Sequence, residues 1–132
     1  MIAALLFLAQ LAPAPDEPKP VVTTIAAIRA NAKKFDGQLV RLHGWVNACQ
    51  PLSCAVEERP ARDVKGPGER LSIAADKKFD DTIRPLLPTY VEFDARVNAA
   101  CLTTSVCTDR AAVLSIVTLR GVVSPEPPEI EN

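Results

Sequence analysis

Four cysteines are the residues whose type and spacing bear most directly on chemistry. Cys49 and Cys54 bracket one short connection, Cys101 and Cys107 bracket another, and each pair follows a strand-like run. Cysteines spaced in this way form disulfides, bind a metal or take part in redox reactions. An uncharged apolar run over residues 2–9 opens the chain and is typical of the apolar part of a secretory signal. We therefore expect an oxidising compartment, in which these thiols form disulfides.

Four cysteines can form two disulfides in three different connectivities. Local pairing within each loop joins neighbouring hairpin ends, and it contributes roughly 2 kcal/mol per bridge because the closed loops are short. A crossed bridge such as Cys49 to Cys101 closes a long loop and contributes roughly 4 kcal/mol by the same chain-entropy argument. Sequence proximity and strand-end geometry favour the local pairs. We predict Cys49–Cys54 and Cys101–Cys107, which would stiffen two loops.

Metal binding and catalysis are less well supported by the residues present. Structural zinc prefers two to four residues between paired ligands, and five residues separate Cys101 from Cys107. There is no Cys-x-x-Cys motif, and the single histidine, His43, cannot complete a set of nucleophile, base and orienting group. A lone strand histidine is ordinarily a surface side chain. We therefore expect a protein that is not an enzyme and has no metal or other cofactor.

A metal-dependent hydrolase remains an alternative. Arg41, Glu92, Asp94 and Arg96 are of the types that a nuclease-like barrel would use. Alternating charged residues are, however, what any solvent-facing strand shows.

The composition indicates one globular domain without a nucleic-acid partner. The chain has 132 residues, is 48% hydrophobic, and carries a formal net charge of −1 from 15 basic and 16 acidic residues. Nucleic-acid binders need clustered positive charge, and the only basic doublets are Lys33-Lys34 and Lys77-Lys78, both beside helix signals.

The chain divides into a leader, a tether, a domain and a tail. The apolar run is too short to span a bilayer, which takes about 20 residues. Small residues that suit signal cleavage are Ala9, Ala12 and Ala14. We predict a periplasmic or secreted protein, without a transmembrane span in its mature form. The predicted segments are a signal peptide (1–14), a proline-rich linker (15–22), the domain (23–123) and a disordered acidic, proline-rich tail (124–132).

Within the domain, hydrophobic periodicity predicts the elements. A helix over 24–34 begins behind Thr23-Thr24, and Asp76 caps a second, short helix. The predicted strands run from Val40, around Cys54–Glu58, over Arg70–Ala75, from Tyr90, and over about Ala111–Val123. The last is apolar on both faces, as in a central or covered strand. Gly44 marks a bulge or bend that lets the first strand serve both halves of a barrel.

The order strand, strand, strand, helix, strand, strand predicts an all-β OB-fold, a five-stranded Greek-key barrel with a leading helix. The run 40–46 (Val-Arg-Leu-His-Gly-Trp-Val) resembles the first strand of the OB-type anticodon-binding domains of class II aminoacyl-tRNA synthetases. The similarity covers seven residues, and the acidic and aromatic residues that those domains carry on later strands are absent. The resemblance implies the fold rather than RNA binding. The whole block 23–123 resembles small exported bacterial OB-fold proteins of undefined role.

The fold predicts where a ligand would bind. In an OB barrel the first and last interstrand loops flank one binding face, so both cysteine pairs would lie beside it. Trp45 and Tyr90 fall in the outward register and would offer stacking platforms for a sugar or base. A bulge at Gly44 would instead turn Trp45 into the core. Asp109 and Arg110 would form a charged pair at the loop mouth, or a surface salt bridge that only positions the strand.

Trp45, Tyr90, Asp109 and Arg110 are therefore the predicted ligand contacts. The predicted function is that of an exported binding module for an unknown small ligand. The alternative is an accessory subunit that interacts with an envelope protein.

Overall fold

The computed structural model describes residues 19–50, 53–74, 76–103 and 112–122. Short helices and strands alternate along these ranges. In chain order they are β1 (Val21–Val22), α1 (Ile25–Ala30), α2 (Ala32–Phe35), β2 (Leu39–Val46), β3 (Cys49–Gln50), β4 (Ser53–Glu57), β5 (Arg70–Ala74), α3 (Lys77–Ile83), a 3-10 turn (Arg84–Leu86), β6 (Thr89–Val97), α4 (Ala100–Thr103) and β7 (Leu114–Val122). No helix in the described ranges combines the length and the hydropathy needed to cross a membrane.

Five strands close into a barrel. The hydrogen-bonded order is β1-β2-β6-β7-β5-β4-β3, and a further pairing of β2 with β4 completes the ring. β5 and β7 run parallel, whereas the other barrel neighbours are antiparallel. The meander β2-β4-β5, followed by α3 and a return of β6 to pair with β2, is the connectivity of the OB-fold. The predicted all-β barrel is therefore confirmed.

Three short elements were not predicted. β1 pairs in parallel with the start of β2, with Val21 opposite Val40, and it lies within the segment assigned to the linker. β3 forms a tiny hairpin with β4, and α4 follows β6. Segments of two to four residues are too short to show a hydrophobic period, so sequence patterns cannot reveal them.

The helix starts follow the predicted caps. Thr24 Oγ1 accepts a hydrogen bond from the Ala27 N–H at 3.1 Å. Asp76 Oδ1 accepts one from the Phe79 N–H at 2.8 Å. Each side chain satisfies a donor that the helix itself leaves unpaired. The leading helix differs from the prediction because it is interrupted at Asn31, which ends α1 and precedes α2.

The core fills the barrel and is sealed by the helices. Phe79 from α3 and Phe93 from β6 meet edge to face, with ring centroids 6.4 Å apart, and both are fully buried. The other fully buried large side chains are Ile28, Leu42, Leu71, Ile83, Leu114, Val40, Val46, Val56 and Val91. They come from a leading helix, from α3 and from all five barrel strands, so one core joins the described helices and strands.

Gly44 works by close approach rather than by a bulge. The β2–β6 ladder runs without a register shift from Leu39 to Val46, so no bulge occurs at the glycine. A Cβ at position 44 would lie 2.5 Å from Val56 Cγ2 and 3.0 Å from the Glu57 carbonyl oxygen. The missing side chain lets β4 come close enough to pair with β2. β2 therefore serves both halves of the barrel, as predicted, because the absence of a side chain at Gly44 leaves room for β4.

β7 is a central strand, as predicted, but its outer face is not covered. It lies between β6 and β5 in the sheet, and Leu114 at its start is buried. Further along, Val117 and Val122 are 55% and 51% exposed. Two register shifts interrupt the ladder between β7 and β6. The apolar sequence of β7 therefore does not correspond to burial of both faces of the strand.

Candidate functional site

Trp45 and Tyr90 meet on the outer face of the barrel. They are directly opposite each other on β2 and β6, both are half-buried, and their ring centroids are 5.6 Å apart. His43 lies two residues before Trp45, with its ring centroid 5.4 Å from that of Tyr90. The Tyr90 Oη and the His43 Nδ1 are hydrogen-bonded. We call these three residues the aromatic cluster.

The unbroken register at Gly44 explains why Trp45 faces outward. With no extra residue in β2, alternate residues keep to one side of the sheet. Val46 is buried, and its neighbour Trp45 is not. The alternative in which Trp45 turns into the core does not occur.

A set of charged side chains continues the same face. Arg41 is opposite Asp94, and its Nε and Nη2 donate to Asp94 Oδ1 at 2.8 Å and Oδ2 at 3.2 Å. Arg120 Nε donates to Glu92 Oε1 at 3.0 Å, and its Nη1 lies 3.8 Å from Asp94 Oδ2. The hydrogen bond to Asp94 raises the pKa of Arg41 above its ordinary value. We call these four residues the ionic cluster.

β7 delivers Arg120 to this cluster through a bulge. The ladder pairs Leu119 with Phe93 and Gly121 with Glu92, so Arg120 is an extra residue without a partner on β6. A bulge of this kind re-aims a side chain. Here it places the guanidinium beside two carboxylates of β6.

Cys49 and Cys54 form a disulfide. They are directly opposite each other on β3 and β4, with Cα atoms 4.3 Å apart, as the local pairing predicted. Cys49 Sγ also lies 3.5 Å from Asp80 Oδ1 on α3. Cys101 is half-buried in α4. Cys107 lies outside the described residues, so the Cys101–Cys107 bridge stays a prediction.

Removing the Cys49–Cys54 bridge is expected to destabilise the domain by about 2 kcal/mol, because the bridge limits the entropy of a short loop in the unfolded chain. The test is urea denaturation of the Cys49→Ala/Cys54→Ala variant beside the wild type. Ser115→Ala, an exposed change on β7, serves as the control and is expected to shift the midpoint little. An unchanged midpoint in the double variant would show that the bridge does not limit unfolding.

No protein-family model matches this chain. A search of curated proteins also finds no significant match.

The predicted contacts are only partly brought together. Trp45 and Tyr90 adjoin the end of β2 that leads into the Cys49–Cys54 hairpin. Cys101 follows the opposite end of β6. Asp109 and Arg110 lie outside the described residues, so their part in a site stays a prediction.

The aromatic cluster is not on the face that OB-folds ordinarily use. That face is formed by the second and third barrel strands, here β4 and β5. Its described outward residues include Ala55, Glu57, Arg70 and Ser72, none of them aromatic. Ala55 is only 3% exposed, and Ser72 Oγ accepts a hydrogen bond from the Val113 N–H. The rings therefore mark a different surface, on β2 and β6.

The ionic cluster is the part of this surface that sequence reasoning missed as a unit. Arg41 and Asp94 were noted as residue types, but only the register shows that they are opposite. The sequence pattern does not predict that Arg120 joins this cluster, because its position depends on the bulge in β7. Within the described ranges, no group of three or more His, Cys, Asp or Glu side chains could hold a metal ion.

Proposed function

We propose that this protein is an exported binding module whose ligand packs against the aromatic cluster. The observation that carries the proposal is the direct pairing of Trp45 and Tyr90 on an outward face, with both rings half-buried. Aromatic residues bind through large apolar surfaces and lose little conformational freedom on doing so. The unbroken β2–β6 ladder keeps Trp45 and Tyr90 opposite each other before a ligand arrives.

Binding on the cluster is expected to depend on the Tyr90 ring. Tyr90→Ala is expected to weaken binding about tenfold to a hundredfold, the effect of losing one stacking ring. Tyr90→Phe keeps the ring and removes the hydroxyl group that bonds to His43, so it is expected to bind nearly as the wild type does. Trp45 is the only tryptophan, so its emission reports directly on this surface.

The measurement is a titration of Trp45 fluorescence with oligosaccharides, nucleotides and short peptides. Saturable quenching that is lost in Tyr90→Ala and kept in Tyr90→Phe would support the proposal. Saturable binding that both variants retain would place the ligand elsewhere on the barrel.

Export is the second part of the proposal. It is supported by the Cys49–Cys54 disulfide, since such bridges persist in oxidising compartments, and by the apolar run at residues 2–9. The intact mass of protein isolated from its native envelope, alkylated before reduction, tests it. We expect a processed amino terminus and no alkylated thiol. Four alkylated cysteines on a chain that keeps its leader would contradict export.

An accessory role in an envelope assembly is a second candidate, favoured by β1. This strand lies at the end of the hydrogen-bonded order, and its Val21 and Val22 are 43% and 74% exposed. An exposed edge strand can pair with an added strand from another protein. Val22→Lys is expected to reduce co-purification of an envelope partner without changing the thermal stability of the barrel. Co-purification that survives this change would exclude β1 as the contact.

A further inference from the structure

The aromatic and ionic clusters form one continuous strip. Along the β2–β6 ladder the outward pairs follow each other as Trp45 with Tyr90, His43 with Glu92, and Arg41 with Asp94. Residues 41 and 45 are about 14 Å apart along β2 at the usual rise of a strand. The strip is therefore long enough for a short chain of small rings, with apolar contacts at one end and hydrogen-bonding groups at the other.

The ionic cluster has no net charge. Two guanidiniums face two carboxylates, and each cation is engaged by a carboxylate of β6. The next outward residue of β6, Arg96, donates to the Gly37 carbonyl at 3.1 Å, beyond the cluster. A phosphate, sulfate or carboxylate ligand would have to compete with Asp94 and Glu92 for the two arginines. The strip therefore disfavours an anionic ligand.

The ionic cluster nevertheless keeps hydrogen-bonding capacity. Arg120 has five N–H donors, and its contacts to Glu92 and Asp94 involve only Nε and Nη1. Only one oxygen of Glu92 accepts from Arg120, while a carboxylate offers about four acceptor positions. The side chains of Arg120 and Glu92 are 41% and 33% exposed, so these groups are within reach of a ligand. Fixed donors beside fixed acceptors, with no net charge, suit hydroxyl groups.

Asp94 holds this arrangement in place. It is 7% exposed, lies on a barrel strand, and contacts both guanidiniums. Side chains fixed before binding lose less entropy when a ligand arrives. The donors of Arg41 and Arg120 are thus positioned by the protein itself.

We propose that the strip binds a neutral oligosaccharide. The apolar face of one sugar ring packs on Trp45 and Tyr90, and hydroxyls of the next ring bond to Glu92 and Arg120. The inference rests on the proposed function of the aromatic cluster and adds the class of ligand. Single-stranded nucleic acid also stacks on aromatic rings, but it needs a positively charged groove for its backbone, which the neutral ionic cluster does not supply.

The test is calorimetric titration of the full chain with defined probes at low and high salt. The neutral probes are cellopentaose, maltopentaose and chitopentaose. Oligogalacturonate is the anionic saccharide, and oligothymidylate is the nucleic acid. We expect at least one neutral probe to bind, with an affinity that changes less than about twofold with salt because no counterions are released.

Two variants alter the charge of the strip in opposite directions. Glu92→Gln removes the carboxylate that Arg120 Nε bonds to and leaves the cluster with a net positive charge. We expect it to weaken binding of the neutral probe about tenfold and to strengthen binding of oligogalacturonate. Arg120→Gln leaves the ionic cluster with a net negative charge, and it is expected to weaken the binding of both probes. Lys33→Gln, an exposed change on α2 outside the strip, is the matched control and is expected to bind as the wild type does.

The outcomes separate this inference from the proposed function. Binding of a neutral probe that Tyr90→Ala weakens about tenfold or more, and that Glu92→Gln also weakens, supports both. A second outcome is salt-sensitive binding of oligogalacturonate or oligothymidylate alone, which Tyr90→Ala still weakens. It would overturn the inference that the ligand is a neutral oligosaccharide, and it would keep the aromatic cluster as the binding site. Binding that is unaffected by Tyr90→Ala, or no binding of any probe, overturns the inference and leaves the two clusters as sheet-stabilising contacts.

Discussion

Phe93→Ala is expected to lower the free energy of unfolding by about 3–5 kcal/mol. Phe93 is fully buried on β6, and its ring meets Phe79 of α3 edge to face. Its removal leaves a cavity between the barrel and the helix that seals it, and the surrounding strands can close that cavity only in part. Since domains of this size are stable by about 5–15 kcal/mol, the loss would remove a large share of the free energy of unfolding.

Equilibrium urea denaturation followed by far-UV circular dichroism measures this loss. Val117→Ala removes apolar atoms from the exposed face of β7 and is expected to change stability by less than about 0.5 kcal/mol. If Phe93→Ala does not fold, Phe93→Leu provides a milder loss, of about 1 kcal/mol. A loss in Phe93→Ala no larger than that in Val117→Ala would show that the barrel does not depend on this contact.

Gly44→Val is expected to be the second most damaging change, with a loss of about 3 kcal/mol from overpacking. The first carbon of any side chain at position 44 already meets Val56 Cγ2 and the Glu57 carbonyl oxygen. The added methyl groups would force β4 away from β2; within the described residues these two strands pair only at Trp45 with Glu57. The same denaturation experiment measures the effect.

A compensating pair tests the cause. Gly44→Ala introduces only the Cβ, and Val56→Ala removes the methyl group that this Cβ would meet. If the clash explains the damage, the double variant should be more stable than the sum of the single losses predicts, by about 1 kcal/mol. Additive losses would show that Gly44 matters for a reason other than its distance from Val56.

Much of the barrel could be predicted because its signals are local. The alternation that begins at Tyr90 placed Val91 and Phe93 inside and Glu92 outside, and the structure agrees. The caps at Thr24 and Asp76 were visible for the same reason, since a cap depends on residues within one helical turn.

The candidate site was less predictable because it depends on pairing between distant strands. Trp45 and Tyr90 were each recognised as outward aromatics, but their contact follows from the ladder register. Asp94 was placed correctly on the outer face, yet it is nearly inaccessible because two arginines lie against it. One of them, Arg120, is there because of a bulge, and no sequence pattern announces that shift.

Both ends of the barrel domain lie beside the strip, which matters for anyone who attaches this protein to a surface. β1 places Val22 opposite Arg41, and the end of β7 places Val122 opposite Val91, the neighbour of Tyr90. An affinity tag or sensor-chip linkage fused close to either end would therefore crowd the very groups under study. Val64, in the loop between β4 and β5, is fully exposed, so a cysteine at that position offers a better point of immobilisation.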